Sequence, residues 1–178
     1  MLKDQRMIMV GSTGRNSGKT TFSTEFIKKY KDDKRIFALK VTTIEKRDMK
    51  CPRGGEGCGV CTSLVGNYDI REELARGQVK DTQRLKDAGA ERVFWIRAYP
   101  EYLEEAYQDF LDLAEEADLI ICESNSLRAY LEPRTFIMID NSKKPKSSAE
   151  NVRHLADMVV GQLDEEGARD LANKLDFR

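Results

Sequence analysis

The sequence predicts an α/β domain in which a mostly parallel β-sheet lies between two layers of helices, giving three layers. Short apolar runs alternate along the chain with segments whose apolar residues recur every three or four positions. The stretch Ala117-Asp-Leu-Ile-Ile-Cys-Glu123 has the continuous hydrophobicity of a strand that is buried on both faces. Strands that alternate with helices, none of them long, are typical of a parallel sheet covered on both sides.

The elements are expected in a regular order. Phe22, Phe26 and Tyr30 recur at helical spacing, Gly89 is placed to close a later helix, and Pro100 is placed to open the next one. Residues 68–77 are expected to be ordered, and residues 124–131 to form a short turn or helix. Strands are predicted at residues 7–10, 35–41, 92–97, 117–123 and 134–140. Helices are predicted at residues 21–31, 81–90, 100–116, 148–162 and 164–174.

A glycine-rich turn, Gly11-Ser-Thr-Gly-Arg-Asn-Ser-Gly-Lys-Thr20, joins the first strand to the first helix. In such a turn, successive backbone N–H groups and the helix dipole face an anion. Lys19 is placed to reach the β- and γ-phosphates of a nucleotide, and the Thr20 hydroxyl to bind Mg²⁺. The motif therefore predicts the P-loop NTPase fold. The residues expected at the nucleotide are Gly14, Arg15, Asn16, Ser17, Gly18, Lys19, Thr20 and Thr21.

The strict phosphate-loop pattern, G-x-x-x-x-G-K-[ST], has its first glycine where this chain has Thr13. Gly11 and Gly14 flank that position, and either is expected to supply the positive φ angle of a tight loop. An ordinary Gly/Ser turn before a helix is the alternative interpretation.

The composition indicates a single globular domain over residues 1–178. Hydrophobic residues make up 40% of the chain and charged residues 34%, with a net charge of −1. This balance gives no electrostatic argument for DNA, RNA or an anionic membrane as the main partner. Because the chain has neither a long apolar run nor a signal-peptide pattern, we expect a cytoplasmic location.

A Gly- and Cys-rich insertion is expected at about residues 42–65. Cys58 and Cys61 have the spacing of a metal knuckle, and Cys51 adds a third thiolate. A tetrahedral site would need a fourth ligand, from Cys122, water, a substrate or a second subunit. Zn²⁺ and a [4Fe–4S] cluster both suit thiolates, and free thiols are the alternative. Cys122 lies in an apolar run, where burial as a small apolar residue is expected.

Glu123 ends the fourth predicted strand and is expected beside the phosphate loop. There it would bind Mg²⁺ through water or orient the water that attacks the γ-phosphate, so Lys19 and Glu123 are the predicted catalytic residues. A strand-end glutamate that only caps the next turn is the alternative. The stretch Asp140-Asn-Ser-Lys-Lys144 occupies the place of a guanine-reading loop with its residues in scrambled order, and a solvated polar loop is the favoured interpretation.

Four stretches together resemble the MobB family of P-loop GTP-binding proteins, which assist molybdopterin guanine dinucleotide biosynthesis. They are Gly18-Lys-Thr-Thr21, Leu39-Lys-Val-Thr42, Lys80-Asp-Thr-Gln-Arg-Leu-Lys-Asp-Ala-Gly-Ala90 and Ala117-Asp-Leu-Ile-Ile-Cys-Glu123. The resemblance implies a homodimer that binds GTP, hydrolyses it weakly, and serves a molybdopterin-type cofactor or a maturation protein. It also implies that Lys40 and Asp81 face the nucleotide or its metal, with Glu123 in the Walker B role.

The chain departs from the family in the cysteine insertion and in Ser124-Asn-Ser-Leu127, where the family tends to have Gly-Phe/Tyr-Lys. The sequence leaves GTP and ATP both open. The alternative function is a nucleotide-binding sensor or scaffold, controlled by a metal or cluster on the cysteines, with negligible turnover.

Overall fold

The computed structural model describes residues 1–44, 64–73 and 81–177. Within them, seven strands form one sheet in the order β3-β4-β2-β5-β1-β6-β7. The strands are β1 Leu2–Ser12, β2 Ile36–Thr43, β3 Tyr68–Glu72, β4 Arg92–Ala98, β5 Leu119–Glu123, β6 Leu131–Ile139 and β7 Met158–Val160. The helices are α1 Lys19–Tyr30, α2 Asp81–Ala88, α3 Leu103–Leu113, α4 Ser147–Arg153 and α5 Glu165–Lys174, with 3-10 turns at Pro100–Tyr102 and Ser126–Ala129.

The sheet is mostly parallel, as predicted. β1 lies between β5 and β6, and β2 lies between β5 and β4, all in parallel register. Only β3, at one edge, pairs antiparallel with its neighbour in the described chain. In this register Val10 and Lys40 both lie opposite Glu123, which places three strand ends at one level of the sheet.

Two hydrophobic clusters cover the two faces of the sheet. Ile8 and Val10 of β1 pack with α1, α2 and α5, on what we call the α1 face. Met7 and Met9 of the same strand pack with α3 and α4, on the α3 face. Since side chains alternate along a strand, one apolar run fills both clusters.

Several predicted boundaries were wrong. The helix predicted at residues 148–162 is the shorter α4 followed by β7, whose Met158 lies opposite Ile137. The apolar triplet of β7 is too short to show a period of its own, and pairing with β6 determines its conformation. Residues 68–72, predicted only to be ordered, form an edge strand. β1 and β6 begin earlier than predicted, at Leu2 and Leu131.

The remaining differences are small. β2 continues to Thr43, two residues into the predicted insertion. No helix in the described ranges is long and apolar enough to cross a lipid bilayer.

Candidate functional site

The carboxyl ends of β1, β2 and β5 open into a cavity of about 930 Å³. Of the predicted nucleotide residues, Gly14 does not line it. Those that do are Arg15, Asn16, Ser17, Gly18, Lys19, Thr20, Thr21, Lys40, Asp81 and Glu123. The topology therefore brings together side chains that are up to 108 residues apart in sequence, from Arg15 to Glu123.

The glycine-rich segment between β1 and α1 turns at residues other than the predicted ones. Positive φ angles occur at Asn16 (50°) and Gly18 (98°), and the expectation that Gly11 or Gly14 would supply one was wrong. Those two glycines are instead approached closely by other segments. A Cβ at Gly14 would lie 2.7 Å from Asn141 Oδ1, and one at Gly11 would lie 2.5 Å from Asn125 Oδ1.

Thr13, the residue that departs from the strict pattern, fastens the loop to the segment after β6. Its hydroxyl donates to Asp140 Oδ1 (3.0 Å) and accepts from the backbone N–H groups of Asn141 (2.9 Å) and Ser142 (3.1 Å). Arg153 also pairs with the Asp140 carboxylate. Asp140 therefore anchors the loop, a role that sequence reasoning missed although the mismatch at Thr13 signalled it.

Lys19 is held by a neutral partner. Its Nζ donates to Ser12 Oγ at 2.8 Å, and Ser12 Oγ in turn donates to the Gly14 carbonyl at 2.8 Å. Burial lowers the pKa of Lys19, while the nearby Glu123 carboxylate acts to raise it. The half-buried Lys19 ammonium would form a stronger hydrogen bond to an anion than to the neutral Ser12 hydroxyl, because an ionised acceptor gives a stronger hydrogen bond.

Glu123 and Thr20 form the acidic part of the site. Thr20 Oγ1 donates to Glu123 Oε2 at 3.2 Å, and the glutamate is 5% exposed. Burial raises the pKa of Glu123, against the opposing charges of Lys40 and Lys19. Its Oε1 is buried and accepts no hydrogen bond from the described part of the chain. Buried carboxylate oxygens are normally paired, so this oxygen favours an additional ligand.

Thr20 and Glu123 together present oxygen atoms of the kind that Mg²⁺ prefers. The orphaned Oε1 next to a hydroxyl fits a hydrated Mg²⁺ that is also bound by phosphate oxygens. Among residues 1–44, 64–73 and 81–177, no group of three or more His, Cys, Asp and Glu side chains is arranged as a self-sufficient metal site.

Comparison of the chain with protein-family models, with curated proteins and with solved structures found no match. The function is therefore inferred from the residues of the site.

Lys40 and Asp81 line the cavity as an ion pair. Lys40 Nζ lies 2.6 Å from Asp81 Oδ2, which joins the end of β2 to the first turn of α2. Burial opposes ionisation of Asp81, but the hydrogen bond and charge of Lys40 outweigh it and lower the pKa. Each side chain thus lines the cavity and has an ionic partner, and that the pair faces a nucleotide or its metal stays a prediction.

Asn125 is a second residue that sequence reasoning missed. Its Oδ1 accepts from the Ser12 backbone N–H at 2.8 Å, and its Nδ2 donates to the Ser12 carbonyl at 3.0 Å. The same Nδ2 lies 3.3 Å from Ser148 Oγ in α4. Asn125 thereby joins the end of β1 to α4, and the unusual stretch Ser124-Asn-Ser-Leu127 was the available signal.

The cysteine predictions have different outcomes. Cys51, Cys58 and Cys61 lie outside the described residues, so their metal site stays a prediction. Cys122 is fully buried in the cluster on the α3 face, as expected of a small apolar residue, and burial raises the pKa of its thiol.

Proposed function

We propose that this protein is a P-loop NTPase that binds a nucleoside triphosphate with Mg²⁺ and hydrolyses it slowly. The observation that carries the proposal is the buried Glu123 carboxylate, with one unpaired oxygen, beside the Thr20 hydroxyl at the end of a phosphate loop. This arrangement supports a nucleotide site, because an ordinary Gly/Ser turn has no need of it.

The phosphates would lie over the loop and the N-terminus of α1. The backbone N–H groups of the first helical turn and the Lys19 ammonium supply positive charge there. Exchange of the Lys19 bond to Ser12 for a bond to phosphate would bring the ammonium to the γ-phosphate end. The loop is held in place by Thr13 and Asn125, so little ordering entropy is lost on binding.

Thr20 and Glu123 would hold Mg²⁺, directly through the hydroxyl and directly or through water at the carboxylate. When bound, Mg²⁺ neutralises charge that develops on the phosphate oxygens. Glu123 would also orient the attacking water.

Finer features of the proposal rest on the MobB-like stretches. These features are GTP in preference to ATP, weak turnover, a homodimer, a cytoplasmic location, and service to a molybdopterin-type cofactor or a maturation protein. Asp140 is bound to Thr13 and Arg153, so guanine selection in this chain would use groups other than that carboxylate.

The runner-up, a sensor or scaffold with negligible turnover, rests on the cysteine spacing. Phosphate release measured over many turnovers separates the two functions. A protein that binds nucleotide tightly yet releases less than one phosphate per chain would favour the sensor.

The decisive experiment is titration of Mg²⁺–GTP and Mg²⁺–ATP into wild type and Lys19→Ala. We expect the substitution to weaken binding by at least about tenfold, since hydrogen bonds to charged groups contribute roughly 1.5–3 kcal/mol. Lys174→Ala, on the exposed side of α5, is the matched control and should bind like wild type. Affinity of Lys19→Ala within about threefold of wild type, a difference below about 1 kcal/mol, would show that the loop is no phosphate site.

A further inference from the structure

The cavity continues past the phosphate loop onto the other face of the sheet. Lys40 shares the α1 face with Ala38, whereas Thr43 shares the α3 face with Leu39 and Val41, because side chains alternate along β2. Thr43 nevertheless lines the same cavity as Lys40. The cavity therefore crosses the carboxyl edge of the sheet.

The wall on the α3 face differs in chemistry from the phosphate loop. It includes Pro100 of the first 3-10 turn, Leu103 at the start of α3, Ala129 at the end of the second 3-10 turn, Tyr130 directly after it, and Val152 of α4. These residues carry no charge. The charged side chains of the cavity come instead from the phosphate loop, the ends of β2 and β5, α2, and Lys146, whose Nζ donates to the Gly14 carbonyl at 3.2 Å.

Hydrogen-bonding groups are present on this uncharged wall. Thr43 Oγ1 is buried and has no hydrogen-bond partner in the described part of the chain. Ser126 adds a second hydroxyl to the lining. Apolar walls with a few convergent polar groups are the usual composition of a site for a small organic molecule.

We propose that this part of the cavity, which we call the second subsite, binds a small neutral organic ligand. The ligand would have an apolar face against Pro100 and Leu103 and a hydroxyl or amine that bonds to Thr43. We expect it to bind at the same time as the nucleotide. This part of the proposal depends on the nucleotide-binding function proposed above. An uncharged ligand is favoured because Pro100, Leu103, Ala129, Tyr130 and Val152 carry no charge.

The two parts of the cavity are mechanically joined by Asn125. Its side chain binds the Ser12 backbone, and Ser12 Oγ holds Lys19. Its amide also contacts Ser148, which lines the cavity from α4. A ligand in the second subsite therefore lies against the same residue that positions the end of β1.

The test is a ligand-observed NMR screen with neutral, hydroxylated heteroaromatic fragments, on protein saturated with Mg²⁺ and GDP. We expect several fragments to bind, with amide shifts at Thr43, Ala129 and Val152. Ala129 is exposed, so Ala129→Trp should fill the subsite without disturbing the core, abolish this binding, and leave nucleotide affinity within about threefold. Leu113→Trp, at an exposed position outside the cavity, should bind the fragments like wild type.

Two outcomes would overturn the second subsite. One is that no fragment in the screen binds; the other is that fragments bind Ala129→Trp as well as wild type. The same screen on nucleotide-free protein separates this failure from failure of the nucleotide proposal, because Thr43, Pro100 and Ala129 lie outside the phosphate loop. Fragments that bind while neither Mg²⁺–GTP nor Mg²⁺–ATP binds would retain the subsite and reject the NTPase.

Discussion

Two buried glutamates of this protein have opposite electrostatic environments. Glu25 accepts from Lys28 at 2.6 Å and from Arg169 at 3.1 Å, and the hydrogen bond from Lys28 is the main reason that its pKa is lowered. The Glu123 carboxylate accepts only from Thr20 in the described chain, and burial raises its pKa. Such a contrast separates a carboxylate that stabilises the fold from one that is available to a ligand.

We expect Glu123→Gln to raise the melting temperature of the nucleotide-free protein at pH 7 by a few degrees. A raised folded-state pKa means that protonated Glu123 stabilises the fold below the ordinary carboxyl pKa of about 4.3, and that this stability is lost as pH rises through the folded-state value. The difference in melting temperature between Glu123→Gln and wild type should therefore become smaller as pH falls. Thermal unfolding from about pH 4 to about pH 8 measures this change in melting temperature.

Glu25→Gln is the matched control, because its carboxylate is equally buried and has a lowered pKa. Ionised Glu25 adds to the free energy of unfolding above the ordinary carboxyl pKa, and this contribution is lost as pH falls through the lowered pKa of Glu25 in the folded protein. Glu25→Gln should therefore be less stable than wild type at pH 7. If both variants lost stability at pH 7, Glu123 would be a structural acid like Glu25.

The same Glu123→Gln variant bears on hydrolysis. The amide keeps a hydrogen-bonding oxygen but has no charge to polarise water, so nucleotide affinity should stay within about tenfold while phosphate release slows. Phosphate release at the wild-type rate would reduce Glu123 to a cap of the following turn.

At the scale of elements, the start of α1 depends on contact with the segment between β7 and α5. Ser17 O accepts from the Leu163 N–H at 3.0 Å, and a Cβ at Gly18 would overlap the Leu163 carbonyl oxygen. Gly18 also has a φ of 98°. A side chain at Gly18 is therefore disfavoured by backbone conformation and by space together.

We expect Gly18→Ala to destabilise the protein by about 1–3 kcal/mol, the usual cost of one strained backbone conformation, and to weaken nucleotide binding. Gly161→Ala is the matched control, since nothing lies within 4 Å of its Cβ and its φ is not positive. Its effect should stay within about 0.5 kcal/mol. Urea unfolding and nucleotide titration of both variants provide the measurement. Equal stability of the two variants would show that the loop can rearrange freely.

At the scale of the whole molecule, the Lys40–Asp81 ion pair joins the two elements between which the cysteines lie in sequence. A metal on Cys51, Cys58 and Cys61 would restrain the segment between Lys40 and Asp81, which both line the proposed nucleotide site. Metal occupancy and nucleotide affinity should then be coupled.

We expect protein purified without oxygen to carry metal or a cluster, and Cys58→Ser combined with Cys61→Ser to lose it while the domain still folds. Nucleotide affinity should change by a coupling free energy of about 1–3 kcal/mol. Metal analysis, visible absorbance and nucleotide titration measure these effects, with Cys122→Ala as the control that keeps the metal. Wild-type protein that is metal-free and fully alkylated at its three insertion thiols would contradict the prediction.

The sequence by itself determined the α/β class, the mostly parallel sheet, and the placement of Lys19, Thr20 and Glu123 at one edge. These features follow from local information, because apolar periodicity and a strand-turn-helix motif lie within short segments, and parallel strands carry their carboxyl ends to one edge. The position of Glu123 could be predicted because this residue ends a continuous apolar run that is typical of a buried strand.

Only the tertiary structure decided the antiparallel edge strand β3, the strand β7, and the attachments of the loop through Thr13 and Asn125. Thr13 meets Asp140 across 127 residues, and Asn125 meets Ser12 across 113. Pairing, register and side-chain contacts at such separations come from packing against the rest of the chain, which no local pattern records.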